Sequence, residues 1–357
     1  MFRGVNTHAP KRFIKEIELM KNKILKYKNS LSFEFTDNPI LPIFILAFLA
    51  ACIFVPNFVS LYNLKNFLLQ SSDVLVVACG ITFVVLNGGI DFSVTSTLTL
   101  GSVVGAYIMA MSPLAIYPYL SIVVAIIAMI TIGILIGMIN GFAVTRLKMP
   151  SFIATLATQL AFSGIAVLFV STITDKPSIA GLPEPFFALG GSGKFFIVPI
   201  VISMVIWTFS YWLLKYTNFG RRLYAVGINP KTAFISGIPV KKVIFRIMIL
   251  SGMYAGIASI LATARNQVGV TSLGDKMFIS IIACVIVGGT KISGGFGGVK
   301  QTLFGVLFIT LLNNTMNLLG VEWYVIMIEQ GMLILFAAMS GFWLSKRQNK
   351  RLLGGTK

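Results

Sequence analysis

The chain has 357 residues, 56% of them hydrophobic and only 11% charged, and a mean hydropathy of +0.89. A soluble domain carries about 25% charged residues, so this composition excludes an ordinary soluble protein and indicates an integral membrane one. The net charge of +18 forms no single patch but is spread through the gaps between apolar runs, as membrane topology requires, so no nucleic-acid partner is expected.

Residues 1–38 form a basic arm, too polar for a cleavable signal peptide with its apolar core. The arm is expected to stay in the cytoplasm. It holds His8, the single histidine, so histidine catalysis and a histidine metal site are not expected. Residues 39–345 read as one transmembrane domain, and 346–357 as a cytoplasmic tail. The class is all-α and polytopic.

A spanning helix needs about 20 apolar residues. Ten candidates follow in order, near 40–56, 70–88, 93–112, 116–145, 151–172, 195–216, 243–264, 276–290, 299–319 and 323–344. Asn38-Pro39 and Tyr62 to Gln70 read as interfacial segments flanking the first. The fourth is long enough to tilt or to include an interfacial turn. Cys52, Cys79 and Cys284 fall inside apolar runs without metal-ligand spacing and read as small buried hydrophobes.

With the N-terminus inside, the inner segments collect the basic residues. They hold the arm's lysines and arginines, Arg146 and Lys148, the cluster from Lys215 to Arg246, Lys291 and Lys300, and the tail. The outer segments hold only Lys65, Lys176, Lys194, Arg265 and Lys276. That bias places both termini in the cytoplasm.

The second and third candidates are separated by Asn87-Gly88-Gly89-Ile90-Asp91-Phe92, followed by Ser93. The glycines permit a sharp break, and Asp91 can cap the next helix. A carboxylate near a span also marks a pathway or a gate, so Asn87, Asp91 and Ser93 are pathway or gating candidates. Thr155, Thr158 and Gln159 share a face of the fifth span. Asn313, Asn314 and Asn317 recur in the ninth, and Glu329 stands beside Gln330 in the tenth. Polar groups in lipid must find partners or water. Interhelical bonding and solute contact both satisfy that need, which makes Thr155, Gln159, Asn313, Asn317 and Glu329 candidates for the pathway. A neutral polar lining suits a hydroxyl-rich solute better than an ion. Gly101/Gly105, Gly133/Gly137/Gly141 and Gly252/Gly256 read as close helix-packing pairs. The outer loop from Thr174 to Lys194 is rich in Pro and Gly and should be irregular.

The longest polar break is the inner loop 217–242. Asn229 suits an N-cap, Pro230 the first helical position and Gly237 the position after the C-cap, with Pro239 blocking continuation. These signals predict a helix of about two turns, Pro230 to Ser236, with small Ala233 allowing close approach by a partner. A plain surface connector has the same caps.

Gly288 to Gly298 and Gly190 to Lys194 look superficially like phosphate loops, but neither fits G-x-x-x-x-G-K-[ST]. No motif for ATP hydrolysis is visible, and no Ser-His-Asp set or H-E-x-x-H. The chain is therefore not expected to be an enzyme.

Taken together in order, several segments resemble the membrane-spanning permeases of bacterial ABC sugar importers, ribose-type branch. Gly88-Gly89-Ile90-Asp91-Phe92-Ser93-Val94 is similar to that family's Gly-Gly-Ile-Asp-Leu-Ser-Val. Pro150-Ser151-Phe152-Ile153-Ala154-Thr155-Leu156 is similar to its Pro-x-Phe-Ile-x-Thr-Leu. Phe219-Gly220-Arg221, Tyr224 to Gly227, Asn229 and Ser236-Gly237-Ile238 resemble its large cytoplasmic loop, and Val287 to Thr290 with Gly294 to Gly297 its glycine-rich turn. Thr95, Ser163 and Phe278-Ile279-Ser280 depart from it, standing where glycine, arginine and Glu-Leu-Asp are common.

The resemblance implies an inner-membrane subunit that passes a monosaccharide into the cytoplasm. Its implied partners are a second permease copy, identical or paralogous, a soluble binding protein outside, and an ATPase that uses ATP and Mg. Arg221, Asn229, Pro230, Lys231, Ala233, Ser236, Gly237 and Ile238 would couple to that ATPase, and this chain would bind no cofactor itself. Related branches leave a nucleoside, an amino acid or a signalling sugar derivative open as the solute. From another class, an ion-coupled secondary transporter would need Asp91 or Glu329 near the midplane.

Overall fold

The computed structural model describes residues 40–274 and 277–354. The N-terminal arm, Lys276 and the side chains of the basic tail lie outside the described residues. The helices are α1 (Ile40–Phe54), α2 (Leu61–Leu86), α3 (Ser93–Ala110), α4 (Pro118–Thr145), α5 (Ser151–Ser171), α6 (Ile197–Tyr216), α7 (Asn218–Ile228), α8 (Pro230–Ile235), α9 (Val240–Asn266), α10 (Phe278–Gly288), α11 (Val299–Leu318) and α12 (Trp323–Gly354). A short antiparallel pair joins β1 (Ser178–Ile179) to β2 (Gly269–Val270).

Six of these helices, α2 to α6 and α9, are long and apolar enough to cross a membrane. They form a centre and a ring. The most apolar windows of α2 and α3 are 78% buried, whereas those of α5 and α6 are only 22% buried. The sequence explains the division. The central helices carry polar residues that need protein partners, because lipid offers none. Thr82 of α2 bonds Thr302 of α11 at 2.7 Å, Ser102 of α3 accepts from Thr263 of α9 at 2.7 Å, and Ser210 of α6 meets the Tyr254 hydroxyl of α9 at 2.9 Å. Ring helices instead expose Leu160, Leu168 and Val205, as a lipid-facing surface requires.

Glycines bring α4 and α9 into backbone contact. Gly133 faces Gly252, and Gly137 lies on Met248. A Cβ on either Gly133 or Gly252 would overlap the other's carbonyl oxygen.

Two expectations need correction. Tyr62 to Gln70 is no interfacial segment but the first turns of α2. Asn63, which broke the apolar run, exchanges a reciprocal pair of 2.9 Å amide bonds with Asn314 of α11. Lys65 sits 5.0 Å above the Phe196 ring. The candidate span 276–290 is only an 11-residue helix, α10, about 16 Å long. That is half of the ~30 Å hydrocarbon core.

Candidate functional site

The long polar loop folds as its caps direct. The Asn229 side chain accepts from the backbone N–H groups of Lys231 and Thr232 at 3.0 and 3.1 Å. Pro230 occupies the first position of α8 and Ser236 the C-cap. Gly237 takes φ +80°, and Ile238 N–H returns to the Ala233 carbonyl at 3.0 Å, closing the helix with a left-handed residue that glycine accommodates without strain. Arg221 and Lys231 are exposed, and the Arg221 guanidinium bonds the Asn218 amide oxygen at 2.5 Å.

Ala233 does not serve as expected. It is 4% exposed and joins the main core, because its face of the short helix turns toward the bundle. The outward face instead carries Phe234 and Ile235, 71% and 85% exposed, with Ile228 nearby at 65%. The sequence did hold a signal for this: two large apolar residues in a helix of six, flanked by polar caps.

Beneath α8 the chain is tied to two other segments. Gly227 at the end of α7 lies against the Leu86 carbonyl, which also accepts from Gly295 N–H at 2.8 Å. A Cβ at Gly227 would overlap that carbonyl. The Tyr224 hydroxyl donates to the Gly297 carbonyl at 2.7 Å. Burial pushes the Tyr224 phenol pKa up, which keeps it a neutral donor. The loop, the end of α2 and the glycine-rich turn before α11 are therefore fastened to one another. Tyr224→Phe is expected to cost about 1 kcal/mol, read as an earlier thermal unfolding midpoint in detergent with unchanged membrane insertion.

Asp91 heads a second arrangement. It is 1% exposed. One carboxylate oxygen accepts from the Ser93 N–H at 3.0 Å and the Ser93 hydroxyl at 2.6 Å, and the other from Ser251 of α9 at 2.7 Å. Asn140 of α4 donates to Ser93 at 2.7 Å and accepts from Thr158 of α5 at 2.8 Å. Thr155 donates to the Ile90 carbonyl at 3.1 Å. The break between α2 and α3 is thus fastened to three other helices. Asn87 caps α2, and its amide oxygen is buried without a partner.

A third arrangement is a partly open cavity of about 790 Å³ among α2, α9, α10, α11 and α12. Asn313 and Asn317 line it, and Thr155, Gln159, Asp91, Ser93 and Glu329 do not. One Glu329 oxygen is buried without a partner. Of the pathway or gating candidates, Asn313 and Asn317 therefore lie at the cavity, Asp91, Ser93 and Thr155 in the network at the break before α3, and Asn87, Gln159 and Glu329 in neither. Ser280, Asn313 and Gln330 close a hydrogen-bonded triangle. Ser280 donates to Gln330 at 3.2 Å, Gln330 to Asn313 at 2.6 Å, and Asn313 to Ser280 at 3.5 Å. Arg265, at the end of α9, reaches the 2% exposed Asp73 of α2 through Nε at 3.0 Å and Nη2 at 2.7 Å. The sequence reading counted Arg265 only as a topology charge and passed over Asp73. A carboxylate in the middle of an apolar run was the available signal.

The chain matches a family model described as branched-chain amino acid transport system / permease component over residues 63–338. It is 39% identical over 306 residues to the ribose import permease protein of Bacillus subtilis, covering 84% of this chain and 91% of that protein. It is 34% identical to the ribose import permease protein of Escherichia coli, covering 80% and 87%. It is 32% identical to the L-arabinose transport system permease protein of Escherichia coli, covering 84% and 88%. No solved structure matches. The length of these matches and the apolar helices together make this a multi-pass inner-membrane transport subunit rather than an enzyme. With its capped short helix, glycine knot and polar bundle, the chain belongs to the permease-component family of these transport systems, in the ribose-type branch of ABC importer permeases.

Proposed function

We propose that this chain is the membrane passage for a monosaccharide, a ribose-like pentose or a hexose, delivered by a soluble binding protein and driven by a separate ATPase. The observation that carries the reading is the set of sugar permease relatives, 32% to 39% identical over at least four-fifths of the chain. Membership of this family implies an ATPase and a binding protein as partners. Two permease copies form the passage, and ATP and Mg are used by the ATPase rather than here. Ten membrane crossings, the short α10 completing its own together with the segment 269–274 that packs along α3, and both termini in the cytoplasm, keep the basic segments inside. In that arrangement the loop 217–242 and α8 face the cytoplasm, and Phe234 and Ile235 are the apolar anchors for the ATPase.

The test is uptake into proteoliposomes holding this chain, its ATPase and its binding protein. Labelled ribose or arabinose is expected to accumulate only with ATP inside. Accumulation driven by an ion gradient without ATP would make the chain a secondary transporter. The family description itself names branched-chain amino acids, so leucine uptake in place of sugar is the competing result. Deleting residues 230–237 is expected to abolish ATPase association and uptake while leaving membrane insertion intact. Retained association after that deletion would overturn the coupling role of α8.

A further inference from the structure

Three aromatic rings meet where the break before α3 passes between α5 and α10. The Phe92 ring lies 4.9 Å from that of Phe278, the first residue of α10, and 5.5 Å from that of Phe152, in the first turn of α5. Rings at such spacings attract one another. Positions that depart from the sugar permease pattern gather at this place. Phe278 stands where glutamate is common, and Phe92 replaces the leucine of the Gly-Gly-Ile-Asp-Leu-Ser-Val segment. Thr95, standing where glycine is usual, donates its hydroxyl to the Phe92 carbonyl at 3.0 Å. A position that is charged in the pattern is here a ring packed on a ring.

The rings are held differently. Phe92 is fixed on both sides, because its neighbour Asp91 bonds Ser93 and Ser251 and the Ile90 carbonyl accepts from Thr155 of α5. Phe278 heads the short α10, and the turn behind that helix is tied to the loop 217–242 by the Tyr224 hydroxyl on the Gly297 carbonyl. Of the two rings, the one on α10 is placed to move. Phe152 is 50% exposed, so the cluster reaches the surface of the protomer. That surface is not built for lipid. Gln159 stands two turns further along the same face of α5, about 10 Å away, half-buried and without a hydrogen bond among the described residues. An amide without a partner is costly in hydrocarbon, so this face of α5 meets water or protein. It therefore reads as a wet wall that ends in a dry constriction, and apolar constrictions close a passage by expelling water.

We propose that Phe92, Phe152 and Phe278 form the seal of the passage, an apolar constriction to which each permease copy contributes its three rings and which opens when Phe278 is drawn away from Phe92. The proposal rests on the reading of two copies around a sugar passage and adds what closes it. The test is a leak from proteoliposomes that carry the permease with its ATPase. Vesicles preloaded with labelled ribose and given no ATP should lose it more than about tenfold faster with Phe278→Ala than with wild type, because a truncated ring no longer excludes water. With ATP and binding protein, the plateau of ribose accumulation should fall as sugar leaks back. Phe278→Leu, still bulky and apolar, is expected to restore a tight vesicle. Phe152→Ala repeats the measurement at a half-exposed ring, where truncation disturbs packing less, and it decides the matter if Phe278→Ala yields no monodisperse protein. A merely structural role predicts loss of monodisperse protein and of uptake with no leak, and that result overturns the proposal. Tight vesicles from both alanine variants overturn the seal alone. A wild-type importer that accumulates no monosaccharide overturns the sugar reading instead, and the leak, which needs neither ATP nor binding protein, still reads the seal.

Discussion

Gly252→Val is expected to remove the folded chain from the membrane. The seam between α4 and α9 is backbone on backbone, with the Gly133 carbonyl where the new Cβ must go. No rotamer relieves that overlap, because the obstructing atom is main chain. Overpacking a core costs about 1–3 kcal/mol when side chains can shift, and here both helices must separate, so a cost above ~3 kcal/mol follows. Separation would also break what α9 holds along its length: Ser251 to Asp91, Tyr254 to Ser210, and Thr263 to Ser102. Gly164→Ala in α5 is the control, since a Cβ there meets nothing within 4 Å. Its expected effect is neutral to slightly stabilising, by up to ~1 kcal/mol from helix propensity. Fluorescence-detected size exclusion of tagged variants separates the outcomes. A monodisperse Gly252→Val peak at wild-type yield would refute the seam.

Asp73→Ala should be the second most damaging change. It leaves the Arg265 guanidinium, 29% exposed, facing the bundle without its carboxylate. Breaking a buried ion pair by removing one partner costs about 3–5 kcal/mol. The residual exposure of Arg265 moves the expectation toward the lower end, roughly 2–3 kcal/mol. Adding Arg265→Gln should return much of that loss, because no unpaired charge then remains. A double-mutant cycle on thermal unfolding in detergent reads the coupling directly. If Asp73→Ala alone matches wild type, the pair carries no stability.

What the sequence disclosed follows from what kind of interaction decided each element. The α8 caps are local, set by Asn229, Pro230 and Gly237 within a few residues of one another, and they were readable. The bodies of α3, α5 and α6 were readable because long apolar runs leave the backbone no alternative in lipid. The start of α2 was not, because Asn63 finds Asn314 some 251 positions away, and hydropathy scores it as though it faced water. The site was legible to the same degree. Asn313 and Asn317 announced themselves by spacing, but Ser280 and Gln330 became partners only once α10 and α12 met. Asp73 and Arg265 are 192 positions apart, so their pairing is a product of the fold. Ala233 was misjudged because a small residue suits an inward face as well as an outward one.

The short α10 also constrains how the chain is made. A helix of only 11 residues cannot settle across a bilayer alone while the ribosome is still adding to it. Its stable place depends on α11, where Gly305 lies against the Cys284 carbonyl and the Gly288 backbone. The two helices are therefore expected to leave the translocon together. Biogenesis of this end of the protein waits on the synthesis of α11, and a truncation that ends before Val299 would strand α10 without a membrane position.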